Sequence, residues 1–200
     1  MSWNISLSVF ADEIARDFAE QLEVVRSEGL QQIDLRGAWG KNVLDFEDED
    51  LKRIMAALAQ YGVHVACIGS PLGKTKITEP FEEQLPRFRR ALEVARIVGT
   101  RNIRIFSFYL PKGEPPARYR DEVVRRLTIF TEIAAREASG ILLLHENERE
   151  IYGEDGERCV EIHRLIPAPN LRAVFDPANF VIVGVRPFTD AWPLLQVPDQ

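Results

Sequence analysis

The chain has 200 residues, of which 46% are hydrophobic and 28% charged, and its net charge is −6. This composition is typical of a globular protein, and the negative charge disfavours nonspecific binding to nucleic acid. The N-terminal residues lack a secretory signal pattern and no apolar run reaches membrane-spanning length, so we expect a cytoplasmic protein without membrane contact. The two cysteines lie outside any CxxC pattern, which indicates reduced and packed thiols.

Strand and helix patterns alternate along the chain. Strands are predicted at 5–10, 33–36, 63–68, 103–108, 141–144 and 171–175, from short runs of apolar and β-branched residues. Helices are predicted from Asp17, with a stop at Gly29, then at 48–61, up to residue 98, from 119 to about 140, and around 159–166. Strict alternation favours a parallel α/β sheet, and the repeat fits either a (β/α) barrel or a doubly wound sheet.

Charged residues inside the predicted strands favour the barrel. Asp34 and Arg36 share one face of their strand, and Arg104 and Arg172 interrupt two later apolar runs. Helices cover the outer face of such a sheet, so these charges are expected to face a barrel lumen. The alternative is a shifted register that leaves some of them in solvent at strand ends.

Two strands end in polar residues that are able to bind metal. The run 142–148, LLLHENE, carries Glu146, and the run 174–180, VFDPANF, carries Asp176. Ligands bind at the C-terminal ends of parallel strands, so the two carboxylates are candidates for half of a divalent-metal site. The plainer alternative is that each carboxylate caps the helix that follows it.

These two runs, with IDLRG and IGSPLGK upstream, resemble the sugar phosphate isomerase/epimerase family, the xylose isomerase-like TIM barrels. The resemblance covers essentially the whole chain and implies one TIM-barrel domain over residues 1–200. It also implies a divalent ion, Mn²⁺, Mg²⁺, Co²⁺ or Zn²⁺, held by Glu146 and Asp176. Glu146 would in addition act as one of two glutamates that move a proton.

Six further residues are candidates for substrate contacts, for different reasons. Asn147 and Asn179 match polar positions near the family's site, and Glu148 stands where some members have histidine. Lys74 of the SPLGK loop can attract a phosphate or carboxylate. Arg36 ends the second predicted strand, and Trp39 follows it. For the loop residues a solvated position is the competing interpretation. His145 alternates to the opposite face from Glu146 and is expected to be packed.

The chain departs from the family at its C-terminus. A complete barrel needs about 250 residues, and only about six of eight βα units are recognisable here. We therefore expect a C-terminally incomplete barrel that lacks two further metal ligands and the second glutamate. A fragment, an early-ending reading frame and a partner chain that completes the barrel all remain open.

The function that follows is a metal-dependent isomerase or epimerase acting on a sugar, sugar phosphate or polyol through an enediolate, as a possible homodimer. The 200-residue chain alone is expected to be weak or inactive. The alternatives are a non-catalytic binding protein, a dehydratase or hydrolase of the same superfamily, and an apurinic-site endonuclease. The last needs many histidine ligands, and the chain has three histidines.

Overall fold

The structure, a computed structural model, describes residues 5–196 and confirms the predicted parallel α/β fold. The strands are β1 Gln32–Leu35, β2 Gly37–Ala38, β3 Lys41–Asn42, β4 His64–Ile68, β5 Asn102–Ile105, β6 Leu142–Glu146 and β7 Leu171–Val174. Five of them form one parallel sheet in the order β1-β4-β5-β6-β7, and β2 and β3 form a separate antiparallel hairpin.

Residues 5–196 contain seven α-helices, and one of them lies between each two successive strands of the parallel sheet. They are α1 Phe18–Ser27, α2 Asp48–Tyr61, α3 Leu85–Val98, α4 Arg120–Glu137, α5 Gly156–Leu165, α6 Pro177–Ile182 and α7 Trp192–Leu195. Single 3₁₀ turns lie at Ala11–Glu13, Val43–Asp45, Phe81–Gln84 and Pro116–Arg118, and a π-helical turn lies at Pro187–Ala191. No helix within residues 5–196 is long and apolar enough to cross a membrane.

The predicted strand at 5–10 is wrong. Ile5 and Leu7 are 76% and 66% exposed, so their alternating pattern covers no core. Only Val9 forms an isolated bridge to Ile33, with the Asp34 N–H donating to the Val9 carbonyl at 2.8 Å. Five of the six predicted strands are therefore present. The prediction that a secretory signal is absent depends on residues 1–4, and the prediction about the C-terminal segment depends on residues 197–200. Both ranges lie outside the described residues.

The predicted strand at 103–108 ends early, at Ile105. Phe108 has a φ of 67°, in the left-handed region that a strand residue does not adopt. The amides of Phe106 and Phe108 donate instead to the carbonyls of Leu72 and Gly73, at 2.8 and 3.0 Å. This segment is therefore paired with the loop that follows β4.

The chain divides into two compact units, and the prediction of a single domain over residues 1–200 stays a prediction. The first unit comprises Met1–Ser70 and Arg89–Ile103, and the second comprises Pro71–Phe88 and Arg104–Gln200. In the first, Asp17 caps α1 by accepting from the amides of Ala19 and Glu20. Helix α2 begins and ends where the sequence predicts, and its stop Gly62 has a φ of 62°.

The second unit has an aromatic core. Phe88 stacks on Phe130 with ring centroids 4.3 Å apart, and Phe81 lies 5.2 Å from Phe130. The buried guanidinium of Arg126 lies over Phe81 and donates to the backbone carbonyl of Ile77 at 2.7 Å.

Several large apolar side chains of the C-terminal segment are exposed. Val181, Ile182 and Phe188 are exposed by 63%, 59% and 71%. Exposed apolar surface of this kind is common at protein interfaces. The predicted homodimer stays a prediction.

Candidate functional site

Glu146 is the last residue of β6, and its carboxylate is buried. It accepts a hydrogen bond from Arg104 Nη1 of β5 at 3.3 Å. Burial raises the pKa of Glu146, the neighbouring charge of Asp176 raises it further, and the guanidinium of Arg104 acts against both. A buried carboxyl group with a raised pKa is suited to taking and returning a proton near neutral pH.

Asp176 lies two residues beyond the end of β7 and caps α6, as the plainer sequence alternative proposes. Its Oδ1 accepts from the Asn179 amide at 3.0 Å, and its Oδ2 accepts from Asn179 Nδ2 at 3.0 Å. A carboxylate can accept about four hydrogen bonds, so capping leaves lone pairs on both oxygens for a cation or a ligand. Capping and ligand binding are therefore compatible at this residue.

Asn147 joins the two strand ends through its side-chain amide. Its Nδ2 donates to the Asp176 carbonyl at 2.9 Å, and its Oδ1 accepts from the Asp176 amide at 2.8 Å. Asn179 Nδ2 in turn donates to the Asn147 carbonyl at 2.9 Å. These reciprocal bonds hold Asp176 beside the end of β6. They also engage the amide groups that the sequence suggests for substrate contact.

Lys74 and Glu148 form an ion pair in the second unit. Lys74 Nζ lies 2.7 Å from Glu148 Oε2 and 4.3 Å from the centroid of the Phe106 ring, and Arg104 lies 5.0 Å from the same ring. Lys74 thus already has a carboxylate partner where the sequence suggests a ligand phosphate or carboxylate. The polar contact of Glu148 is this ion pair with Lys74.

Arg36 and Trp39, the other two substrate candidates, belong to the first unit and have partners there. The guanidinium of Arg36 lies 2.8 Å from Asp12 and 3.0 Å from Glu13. The Trp39 ring packs edge-on against Phe18, and the guanidinium of Arg53 lies 4.0 Å from its centroid. Both side chains therefore stabilise the segment around β2 and β3.

The charges inside strands have two different outcomes. Arg104 is buried and paired with Glu146, in keeping with the expectation of an inward-facing charge. Arg172 is exposed, as the alternative of a solvated strand position proposes. Arg104 is a site residue that the sequence pattern does not identify, and its only signal there is an arginine within an apolar run.

His145 is packed, as predicted. It is 1% exposed, and neither ring nitrogen has a hydrogen-bond partner among the described residues. Burial lowers its pKa to about 3, so the ring is neutral. Gly153 leaves it room, because a Cβ there would lie 2.5 Å from His145 Cε1. His163 packs edge-on at 6.2 Å between ring centroids.

The donor set at the two strand ends fits part of a divalent-cation site. Glu146 and Asp176 supply carboxylate oxygens, which Mg²⁺ and Mn²⁺ prefer, and the influence of Asp176 on the Glu146 pKa reflects a repulsion that a cation would relieve. Within residues 5–196, no three His, Cys, Asp or Glu side chains form a group that could hold a metal ion. A cation held by these two carboxylates would need further groups at its other coordination positions.

A comparison of the chain with models of known protein families gives a match over residues 22–196. The matching family is described as Xylose isomerase-like TIM barrel. No match is found among curated protein sequences. Solved structures provide a second comparison, and all of those described below share less than 25% identity with the chain, so they are evidence of fold alone.

Three solved structures illustrate the likeness. A probable 3-DHS dehydratase, AsbF, of Bacillus anthracis has a TM-score of 0.77 at 19% identity, over 96% of this chain and 71% of that protein. A D-tagatose 3-epimerase-like protein has a TM-score of 0.75 at 19% identity, over 96% and 72%. A xylose isomerase-like TIM barrel protein of Mycobacterium smegmatis, in complex with magnesium, has a TM-score of 0.70 at 19% identity, over 90% and 66%. The chain therefore spans about two thirds of the length of such proteins.

Proposed function

The chain belongs to the xylose isomerase-like TIM barrel family, and from that premise we propose that it acts on a small sugar, sugar phosphate or polyol. The proposed reaction is an isomerisation or epimerisation in which a proton leaves a carbon beside a carbonyl and is then returned. Glu146 is the proposed proton acceptor. The activity requires a divalent cation, for which Glu146 and Asp176 supply two of the ligands.

The buried carboxylate of Glu146 is the observation that carries this proposal. A carboxylate in water is a weak base, because its pKa lies well below neutral pH. Burial and the charge of Asp176 raise the pKa of Glu146, so its affinity for a proton is increased. Arg104 opposes the shift and keeps the carboxylate in a fixed position from which it can accept the proton.

The remaining residues position this carboxylate and its neighbour. Asn147 and Asn179 hold Asp176 through bonds of 2.8–3.0 Å. The Lys74–Glu148 pair lies on the same Phe106 ring as Arg104 and adds a second cation to the site. A bound divalent cation would supply positive charge that stabilises negative charge developing on the substrate oxygens.

Exchange of substrate hydrogen with solvent tests the proposal at its first step. The purified chain is incubated with Mg²⁺ in D₂O and a panel of aldoses, ketoses and their 6-phosphates, and the loss of each C–H signal is followed by ¹H NMR. One base is sufficient for this exchange, so it is measurable even if turnover is slow. We expect slow exchange at the carbon beside the carbonyl, lost in Glu146→Gln.

Metal binding is measured on the same variants by titration calorimetry with Mn²⁺. Glu146→Gln and Asp176→Asn should each weaken binding, because each removes a carboxylate donor. Glu157→Gln is the matched control, since Glu157 is an exposed carboxylate of the same unit. Equal Mn²⁺ affinity in all four proteins would overturn the assigned ligands. Exchange that persists in Glu146→Gln would overturn the assigned base, and release of water from a substrate would identify a dehydratase.

A further inference from the structure

The first unit contains a cavity of about 290 Å³ that the proposed function does not use. It is bounded by the turn after Ala11–Glu13 and by the β2–β3 hairpin, and its charged lining residues are Asp12, Arg16, Arg36 and Lys41. This volume lies at the lower end for small-molecule sites, so an occupant must be small.

Three of the lining residues are cations, and within the described part of the chain only Arg16 has no carboxylate partner. Arg36 is paired with Asp12 and Glu13, and Lys41 Nζ lies 2.7 Å from Asp50. The guanidinium of Arg16 has no hydrogen bond or ion pair with any of residues 5–196. Arg16 is exposed, so its donors are accessible from solvent.

Arg16 is nevertheless held in a defined place. A Cβ on Gly40 would lie 2.5 Å from Arg16 Nη2 and 3.2 Å from its Cζ, so the guanidinium packs directly on the backbone of this glycine. The Arg16 carbonyl accepts from the Trp39 amide at 2.7 Å. The side chain and the main chain of Arg16 are thus both fixed to the hairpin turn.

The turn itself is strained at Trp39. Trp39 and Gly40 have φ values of 53° and 77°, and the left-handed region is unfavourable for a bulky residue such as tryptophan. The packing of Trp39 against Phe18 and beneath Arg53 holds this conformation. Strained backbone of this kind is concentrated at sites that bind ligands, where the strain is maintained because it positions a group in advance.

We propose that this cavity binds an oxyanion, a carboxylate or phosphate group of a small hydroxylated molecule, through the guanidinium of Arg16. A guanidinium donates two parallel hydrogen bonds to either group, and its fixation on Gly40 reduces the entropy lost on binding. The site is formed within the first unit alone. It does not depend on the chemistry proposed for Glu146.

Binding of two matched anions tests the proposal. Glycerol 3-phosphate and D-glycerate carry a phosphate and a carboxylate on the same three-carbon skeleton, and glycerol is the uncharged control. Each is titrated into the chain by calorimetry and by NMR of the arginine Nε–H signals. We expect saturable binding of at least one anion, weakened about tenfold or more in Arg16→Gln, because a charged hydrogen-bonded pair is lost.

Arg96→Gln is the matched control, since Arg96 is an exposed arginine of the same unit. It should leave the affinity unchanged, and circular dichroism should show that both variants are folded. Tighter binding of one anion identifies the oxyanion as phosphate or carboxylate. The proposal would be overturned if neither anion binds saturably, or if the anions bind no better than glycerol. It would also be overturned if Arg16→Gln binds the anions with the affinity of the parent. If the exchange experiment on Glu146 fails, the expected anion binding by Arg16 is unchanged, so the two proposals can fail separately.

Discussion

The carboxylate site of the second unit and the cavity of the first unit use charge in opposite ways. Glu146 is buried, paired with Arg104, and held beside an Asp176 that is fixed by two asparagines. Arg16 is exposed and has no ion-pair partner among residues 5–196, and its guanidinium is fixed by packing on Gly40. A buried charge needs a partner within the protein, whereas an exposed charge is solvated by water and is free to bind a ligand.

Removal of the buried cation should have the largest effect. The side chains of Arg104 and Glu146 are 11% and 10% exposed, whereas Arg36 in the first unit is 32% exposed. Arg104→Met should lower the free energy of unfolding by about 3 kcal/mol or more, because it leaves an uncompensated buried carboxylate. Arg36→Met should cost below about 1 kcal/mol. Urea unfolding of both variants measures the difference, and equal losses would contradict the comparison.

The asparagine that joins β6 and β7 should have the next largest effect. Asn147→Ala removes two hydrogen bonds to the backbone of Asp176 and should lower the free energy of unfolding by roughly 2–3 kcal/mol. Asn102 in the first unit donates one bond to the Ala66 carbonyl at 2.9 Å, so Asn102→Ala should cost about 1 kcal/mol. Mn²⁺ affinity should fall in the first variant and not in the second. An unchanged Mn²⁺ affinity in Asn147→Ala would exclude a positioning role.

The alkylation rates of the two cysteines compare how well each unit protects a thiol from solvent. Cys159 is buried, its Sγ donates to the Gly153 carbonyl at 3.3 Å, and burial raises its pKa to about 12. Cys67 in the first unit is only partly buried. Iodoacetamide near pH 8 should therefore modify Cys67 about a hundredfold faster than Cys159. Mass spectrometry of peptides over time measures both rates, and Cys159 reacting first would contradict the structure.

The smallest effect should come from a surface carboxylate in α4. Hydrogen bonds and charge from Arg125 and Arg126 lower the pKa of Glu122 to about 2, below its ordinary value of 4.5. The resulting stabilisation is present above the ordinary pKa and is lost as the pH falls through about 2. It should amount to less than about 1 kcal/mol, because solvent screens this pair. The difference in unfolding free energy between the parent and Glu122→Gln should shrink from about pH 6 to pH 2. A constant difference would refute the assigned pairing.

The sequence predicts local elements well where periodicity and caps agree. Helix α2 occupies 48–61 in both prediction and structure, because an amphipathic pattern is bounded by an acidic first turn and by Gly62. The prediction of a strand at 5–10 is wrong, although apolar and polar residues alternate regularly in that segment. Alternation reports a strand only when one face is buried, and Ile5 and Leu7 are exposed.

The sequence by itself determined the parallel α/β class and the two strand ends that carry Glu146 and Asp176. Both follow from patterns within a few residues, which act through local backbone preference and burial. Only the tertiary structure decided that Arg104 neutralises Glu146, that Asn147 holds Asp176, and that Arg16 packs on Gly40. The partners in these three contacts are 42, 29 and 24 positions apart in the sequence. Their energies depend on which segments are adjacent in space and on how far water is excluded, and neither quantity can be read from a local pattern.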